Sequence, residues 1–198
     1  MQNATEKFYP DFITPMAAVA GSVADNILNV LVKDSQLEKA YVNNGGDVSF
    51  YLTENQTVKS SLASIPNIIA EIDYKDKSRG IATSGWRGRS FSLGIADSVT
   101  VLADNAAMAD AAATMIANSV NIKNHPLIIK KPAEEIYEDS DLKNLMVTVE
   151  VGDLKQSEIE DALKNGNEVG KKYLENGLIN SALIELHNCF CIVQKEST

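Results

Sequence analysis

All the arginines of the chain, Arg79, Arg87 and Arg89, stand in one short segment beside the only tryptophan, Trp86. A guanidinium offers a planar fork of donors suited to phosphate or carboxylate, and Gly85 and Gly88 let a backbone approach such a ligand closely. Trp86 adds a flat apolar face, so the loop reads as a receptor for a nucleotide with both a ring and a pyrophosphate. The alternative is that Trp86 packs in the core and the arginines pair with surface acids. Downstream, Asp110 and Thr114 are spaced i,i+4 in an alanine-rich run, which sets a carboxylate and a hydroxyl on one helix face. Those oxygens suit a hard cation such as magnesium, which takes one or two protein carboxylates and completes its shell with water and substrate phosphate. The same pair can also serve packing and capping.

Two more acids, Asp47 after Gly45-Gly46 and Asp97 before SVTVLA, lie among small and apolar residues, where each can ligate a cation or cap a turn. His125 precedes a proline and His187 falls in an expected hairpin turn, so neither has a sequence partner for triad or zinc chemistry. Cys189 and Cys191 are too few for a disulfide framework and are read as core residues.

The elements that must position these groups follow from length and pattern. The chain has 198 residues and 18 Lys+Arg against 27 Asp+Glu, a formal charge of −9. This length suits one domain or two subdomains sharing a core, and the acidic balance offers no electrostatic footprint for nucleic acid or an anionic membrane. No apolar run is read as approaching the roughly 18 residues of a bilayer span, and MQNATEKFYPDF lacks the blocks of a secretory signal. A cytoplasmic location without membrane insertion is expected.

Thr14-Pro15 reads as the start of an Ala-rich helix running to about Lys33, followed by a hairpin around Asn43-Asn44-Gly45-Gly46. A periodic stretch from Gln156 to Asn176 leads into a second hairpin around His187-Asn188, repeating the architecture without repeating the residues. Between them, strands are expected at Ile68–Tyr74, Arg79–Thr83, Ser98–Ala103 and Leu145–Val151, with a helix capped by Asp104 and ending near Asn118. The acidic, proline-bearing stretch from His125 to Asp141 reads as a linker or surface loop. The expected class is α+β, with helices on one face of a largely antiparallel sheet. Residues 1–122 form its core and 123–198 a second subdomain of linker, strand, helix and C-terminal hairpin sharing that core.

The succession TPMAAVAGSVAD, VNNGGDVSF, GIATSG, GRSFSLGIADSVTVLA and ADAAATMIANSV resembles the ApbE-like superfamily of FAD:protein FMN transferases, and most closely its UPF branch. The resemblance covers roughly residues 13–120. It implies a duplicated fold of T-fold type that binds FAD between subdomains. It further implies that Asp110 and Thr114 hold Mg²⁺ against the pyrophosphate, and that Gly45-Gly46-Asp47 and Thr83-Ser84-Gly85 form two further corners of the site. The tail from Asn124, with HPLIIKKPAEEIYEDSDL and VTVEVG, is similar to a domain of 6-hydroxynicotinate-type iron–sulfur reductases.

The chain departs from the transferases in lacking a lysine at Val19-Ala20-Gly21, in its short passage from Ser84 to Ser98, and in a front segment that is nearly missing. A sheet short of its first strands leaves an open edge, so a homo-oligomer or a hetero-complex with an iron–sulfur or flavoprotein chain is expected. Three readings follow. The first is Mg²⁺-dependent FMN transfer or FAD pyrophosphate cleavage, with Arg87 and Arg89 as clamps and Trp86 stacked on a ring. The second is a non-transferring flavin- or substrate-binding subunit of an iron–sulfur reductase acting on a heteroaromatic compound. The third is a structural subunit.

Overall fold

The computed structural model describes residues 1–61 and 68–195. Five helices, α1 (Gln2–Thr5), α2 (Val19–Val32), α3 (Ala106–Ser119), α4 (Ala133–Ile136) and α5 (Gln156–Glu175), accompany ten strands. The strands are β1 (Lys39–Asn44), β2 (Asp47–Leu52), β3 (Thr57–Ser61), β4 (Ile69–Asp73), β5 (Gly80–Ser84), β6 (Ser98–Ala103), β7 (Ile128–Pro132), β8 (Met146–Val151), β9 (Ser181–Leu186) and β10 (Cys189–Gln194). Six of them form a central sheet in the order β1-β2-β5-β6-β9-β10, and β3-β4 and β7-β8 form separate pairs. Every pairing is antiparallel, so the fold is mixed α+β with antiparallel sheets.

Side chains alternate across a strand, and this alternation divides the central sheet into two unlike faces. Ala82, Val99, Val101, Ala103, Ala182, Ile184 and Leu186 pack with the buried residues of α3 and α5 in the main core. Ile81, Phe50 and Leu52 point the other way and meet Ile72 of β4 in a smaller cluster. The three long helices therefore share one face, with α2 over β1-β2, α3 over β5-β6 and α5 over β9-β10. Alanines at 109, 111, 112, 113 and 117 are fully buried and let α3 lie flush against the sheet. At the α2–α3 crossing, a Cβ added to Gly21 would stand 2.3 Å from the Ala106 carbonyl oxygen, so only glycine permits that approach.

Several expectations are corrected. Pro15–Ala18 forms a 3-10 turn before α2, because the chain bends there to bring Gly21 onto α3. The cap of α3 is Asn105, whose side chain accepts from Met108 N–H, whereas Asp104 accepts from the Asn180 amide 3.0 Å away. The expected linker at 125–141 contains β7 and α4: Pro132 ends the strand where its missing N–H costs no ladder bond, and Glu134 and Glu135 favour the first turn of α4. The segment Pro15–Val32, with mean hydropathy 1.4, does reach the length and apolarity of a membrane span. Single polar residues such as Asp25 and Asn26 do not lower the average enough to exclude it. In the fold its Gly21, Ala24 and Leu28 are buried within the protein.

Candidate functional site

Asp47 and Asp110 line one cleft although they stand 63 positions apart in the chain. Asp47 opens β2 directly after the Gly45-Gly46 turn, and even numbering along β2 does not carry it outward, since Val48 points to the β4 side and Asp47 to the helix side. Asp110 sits one turn into α3, where its Oδ2 accepts from Gly21 N–H at 3.0 Å, so the N-terminal turn of α2 faces it. Thr114, one turn further along α3, lines the same cleft. Asp47 Oδ1 accepts from Thr83 N–H at 3.3 Å, which ties the turn to β5.

Both carboxyls resist ionisation. Burial, then the Asp47 charge, pushes Asp110 up to about 7 against the pull of the Gly21 and Ala20 amides. Burial likewise raises Asp47 to about 6, opposed by the Thr83 hydrogen bond and the Arg89 guanidinium. Two desolvated carboxyls that each disfavour the other's charge form a coupled pair, and a bound cation would let both ionise.

The cleft around them has a volume of about 400 Å³. Its floor is Asp47, Asp110 and Thr114, and its apolar walls include Phe12, Met16, Phe91 and Tyr137. Arg89 is the guanidinium that lines it, held by a 2.7 Å bond from Nη2 to the Gly45 carbonyl. That contact needs glycine: Gly45 has φ +72°, and a Cβ there would meet Nη2 at 1.9 Å. A hydrogen bond from the Thr14 hydroxyl to Asp141 joins the segment before α2 to the segment after α4 at the rim.

The rest of the expected site is elsewhere. Trp86 Nε1 and Arg87 Nε both donate to Asp97 Oδ1, at 3.1 and 2.6 Å, and Arg87 stacks 4.7 Å from the indole centroid. Trp86 packs partly against the main core. Arg79 donates to the carbonyls of Tyr74, Asp76 and Ser78. The arginine cluster of the sequence is thus divided, and one member faces the paired acids. Thr83, Ser84 and Gly85 border a different cavity together with Arg87 and Asp97. Only the Thr83 backbone reaches the Asp47 carboxylate. Gly46 lies at the exposed turn, where its N–H donates to Asn43 Oδ1 at 2.8 Å.

Sequence reasoning assigned no role to Asp25, yet its carboxylate accepts from Ala106 N–H at 3.0 Å and Ala107 N–H at 2.9 Å, and from the Ser49 hydroxyl at 2.6 Å. It caps α3 from α2 and so holds Asp110 against Gly21. The aromatic walls were also missed, because Phe12, Phe91 and Tyr137 come from three segments with no common periodicity. The signal at hand was Asp25 itself, a lone acid inside an apolar helix.

Among the described residues no group of three His, Cys, Asp or Glu side chains could hold a metal ion. The donor set of Asp47, Asp110 and Thr114 fits Mg²⁺, which needs few protein ligands and takes the remainder from water or phosphate, and does not fit tetrahedral zinc.

Comparison with known proteins finds relatives described as UPF0280 proteins. A UPF0280 protein of Methanococcoides burtonii is 40% identical over 114 residues, 56% of this chain and 47% of its own length. One from Methanobrevibacter smithii is 34% identical over 134 residues, 64% of this chain and 56% of its own. One from Methanocaldococcus jannaschii is 31% identical over 144 residues, 69% of this chain and 57% of its own. The chain spans about half the length of the curated relatives it matches. The family model described as AbpE bacteria matches residues 1–192, and the chain therefore belongs to that family.

Proposed function

We propose that the chain binds FAD or a related flavin nucleotide with Mg²⁺ in the cleft of Asp47, Asp110 and Thr114, and acts there as an ApbE-like protein, by FMN transfer or pyrophosphate cleavage. The observation that carries this reading is a pair of desolvated, mutually opposed carboxyls beneath an apolar wall wide enough for a ring system. The recurrence of helix plus hairpin at both ends of the sheet, α2-β1-β2 and α5-β9-β10, supports a duplicated T-fold-like architecture.

Asp110, Asp47 and Thr114 would hold the cation, which when bound neutralises charge on the pyrophosphate oxygens. The Gly21 N–H fixes the Asp110 carboxylate, so its second oxygen is oriented before any ligand arrives. Arg89, anchored on Gly45, offers its remaining N–H groups to a phosphate. Phe12, Phe91 and Tyr137 supply the apolar surface for a ring and exclude water from the polar floor.

The test is a titration of the purified protein with FAD, with and without Mg²⁺, while AMP release is followed. Binding that tightens with magnesium and yields AMP, with the activity lost in Asp110→Ala, is the expected result. A full rate in EDTA rejects it. The second reading, a non-transferring subunit of an iron–sulfur reductase acting on a heteroaromatic compound, is favoured by one observation: Val19 and Ala20 line the cleft where the transferases carry a lysine. Flavin binding without AMP would select it. In either case a homo-oligomer or a hetero-complex with an iron–sulfur or flavoprotein chain accounts for the exposed Val23, Ile27, Val30 and Leu31 on α2.

A further inference from the structure

Glu185 is the charged residue of β9, 5% exposed, on the sheet face away from the three long helices. Its neighbours in β9, Ile184 and Leu186, point into the main core, whereas Glu185 pairs across the sheet with Ser98. Its Oε2 accepts from the Ser98 hydroxyl at 2.9 Å. Among the described residues Oε1 receives no donor and no cation lies within ion-pair distance. The second carboxylate oxygen is therefore open to a further donor.

Glu185 lines a cavity of about 580 Å³, with the Thr83–Gly85 turn on one side and His187 and Asn188 on the other. Arg87, which lines the same cavity, is committed to Asp97 at 2.6 Å, and Asp97 also accepts from His187 N–H. With that pair neutral, Glu185 and the rim acid Asp153 leave the cavity anionic. His187, in the same wall, has its Nε2 buried without a hydrogen-bond partner. The volume suits a small molecule rather than a bare ion, and no set of three metal-ligating side chains is present among the described residues.

We propose that this cavity is a second binding site, for a small organic cation whose ammonium or amidinium N–H groups bond the Glu185 carboxylate. Charge-assisted hydrogen bonds from the ligand reach Oε1, and Thr83 and Ser84 border the same space. The site lies on the opposite sheet face from the Asp47–Asp110 cleft and does not depend on what that cleft binds.

The test is amide chemical-shift mapping of the full chain, using benzamidine as the cationic probe and benzamide as its neutral isostere. Benzamidine should shift the amides of Gly85, Ser98, His187 and Asn188 saturably, with benzamide at least tenfold weaker. Glu185→Gln should weaken benzamidine at least tenfold, and Ser98→Ala, which keeps the carboxylate, should retain it. Equal response to the two probes, no saturable response, or unchanged affinity in Glu185→Gln overturns the proposal. Should Glu185→Gln fail to fold, the comparison of probes on the unaltered chain decides by itself. Magnesium and FAD binding, measured on the same samples, report the cleft separately.

Discussion

Replacing Asp110 by asparagine should stabilise the metal-free protein at alkaline pH. The carboxyl titrates near 3.8 in the unfolded chain and about 7 in the fold. An acid whose folded value is raised binds its proton more tightly when native, so its contribution is fully present below about pH 4 and is lost as pH rises through about 7. A shift of that size corresponds to about 4 kcal/mol at roughly 1.36 kcal/mol per unit. Asp47 titrates over an overlapping range, so the two lose protons as a pair and one amide recovers on the order of 2 to 4 kcal/mol. The asparagine Oδ1 can still accept from Gly21 N–H, so the α2–α3 contact is kept. The assay is urea unfolding of both proteins in EDTA at pH 4 and pH 8, reading the difference between them so that other groups cancel. Asp110→Asn should exceed the parent at pH 8 and match it at pH 4. Added Mg²⁺ should then raise the parent alone, by mass action on the folded state. A variant no more stable than the parent at pH 8, or a difference independent of pH, would refute the coupled-carboxyl account.

Other consequences concern the groups that hold the cleft. Asp25→Ala removes the acceptor for Ala106 N–H, Ala107 N–H and the Ser49 hydroxyl, and should cost about 1–3 kcal/mol in urea unfolding. The two neighbouring arginines should behave differently in the FAD titration. Arg89→Ala is expected to weaken Mg²⁺-dependent binding about tenfold, the effect of roughly 1.4 kcal/mol from one lost charged contact. Arg87→Ala should change it less than twofold, because that guanidinium is bonded to Asp97.

The proposed assembly is tested at the exposed apolar side of α2. Val30 is 70% exposed, and Val23, Ile27 and Leu31 lie near it on the same helix. Sedimentation of the full chain distinguishes a self-associating protein from one that awaits a different partner.

Local pattern by itself determined the strands at β4, β5, β6 and β8, the three long helices and both hairpins, because period and turn chemistry act over a few residues. It missed β3, and it missed β7, where prolines and lysines hide a short edge strand. The Asp110–Thr114 pair was legible because a helix fixes i,i+4 neighbours without help from the rest of the fold. What binds beside that pair was decided by tertiary structure. Strand parity sends Asp47 to the helix face and the Thr83 side chain to the opposite one, and the antiparallel β5–β6 pairing carries Trp86 and Arg87 to Asp97. One-dimensional proximity made the arginines look like a single cluster, whereas the fold bonds Arg87 to Asp97 and Arg89 to the Gly45 carbonyl. Strand parity likewise turns the buried Glu185 away from the three long helices, toward a cavity that no spacing along the chain announces.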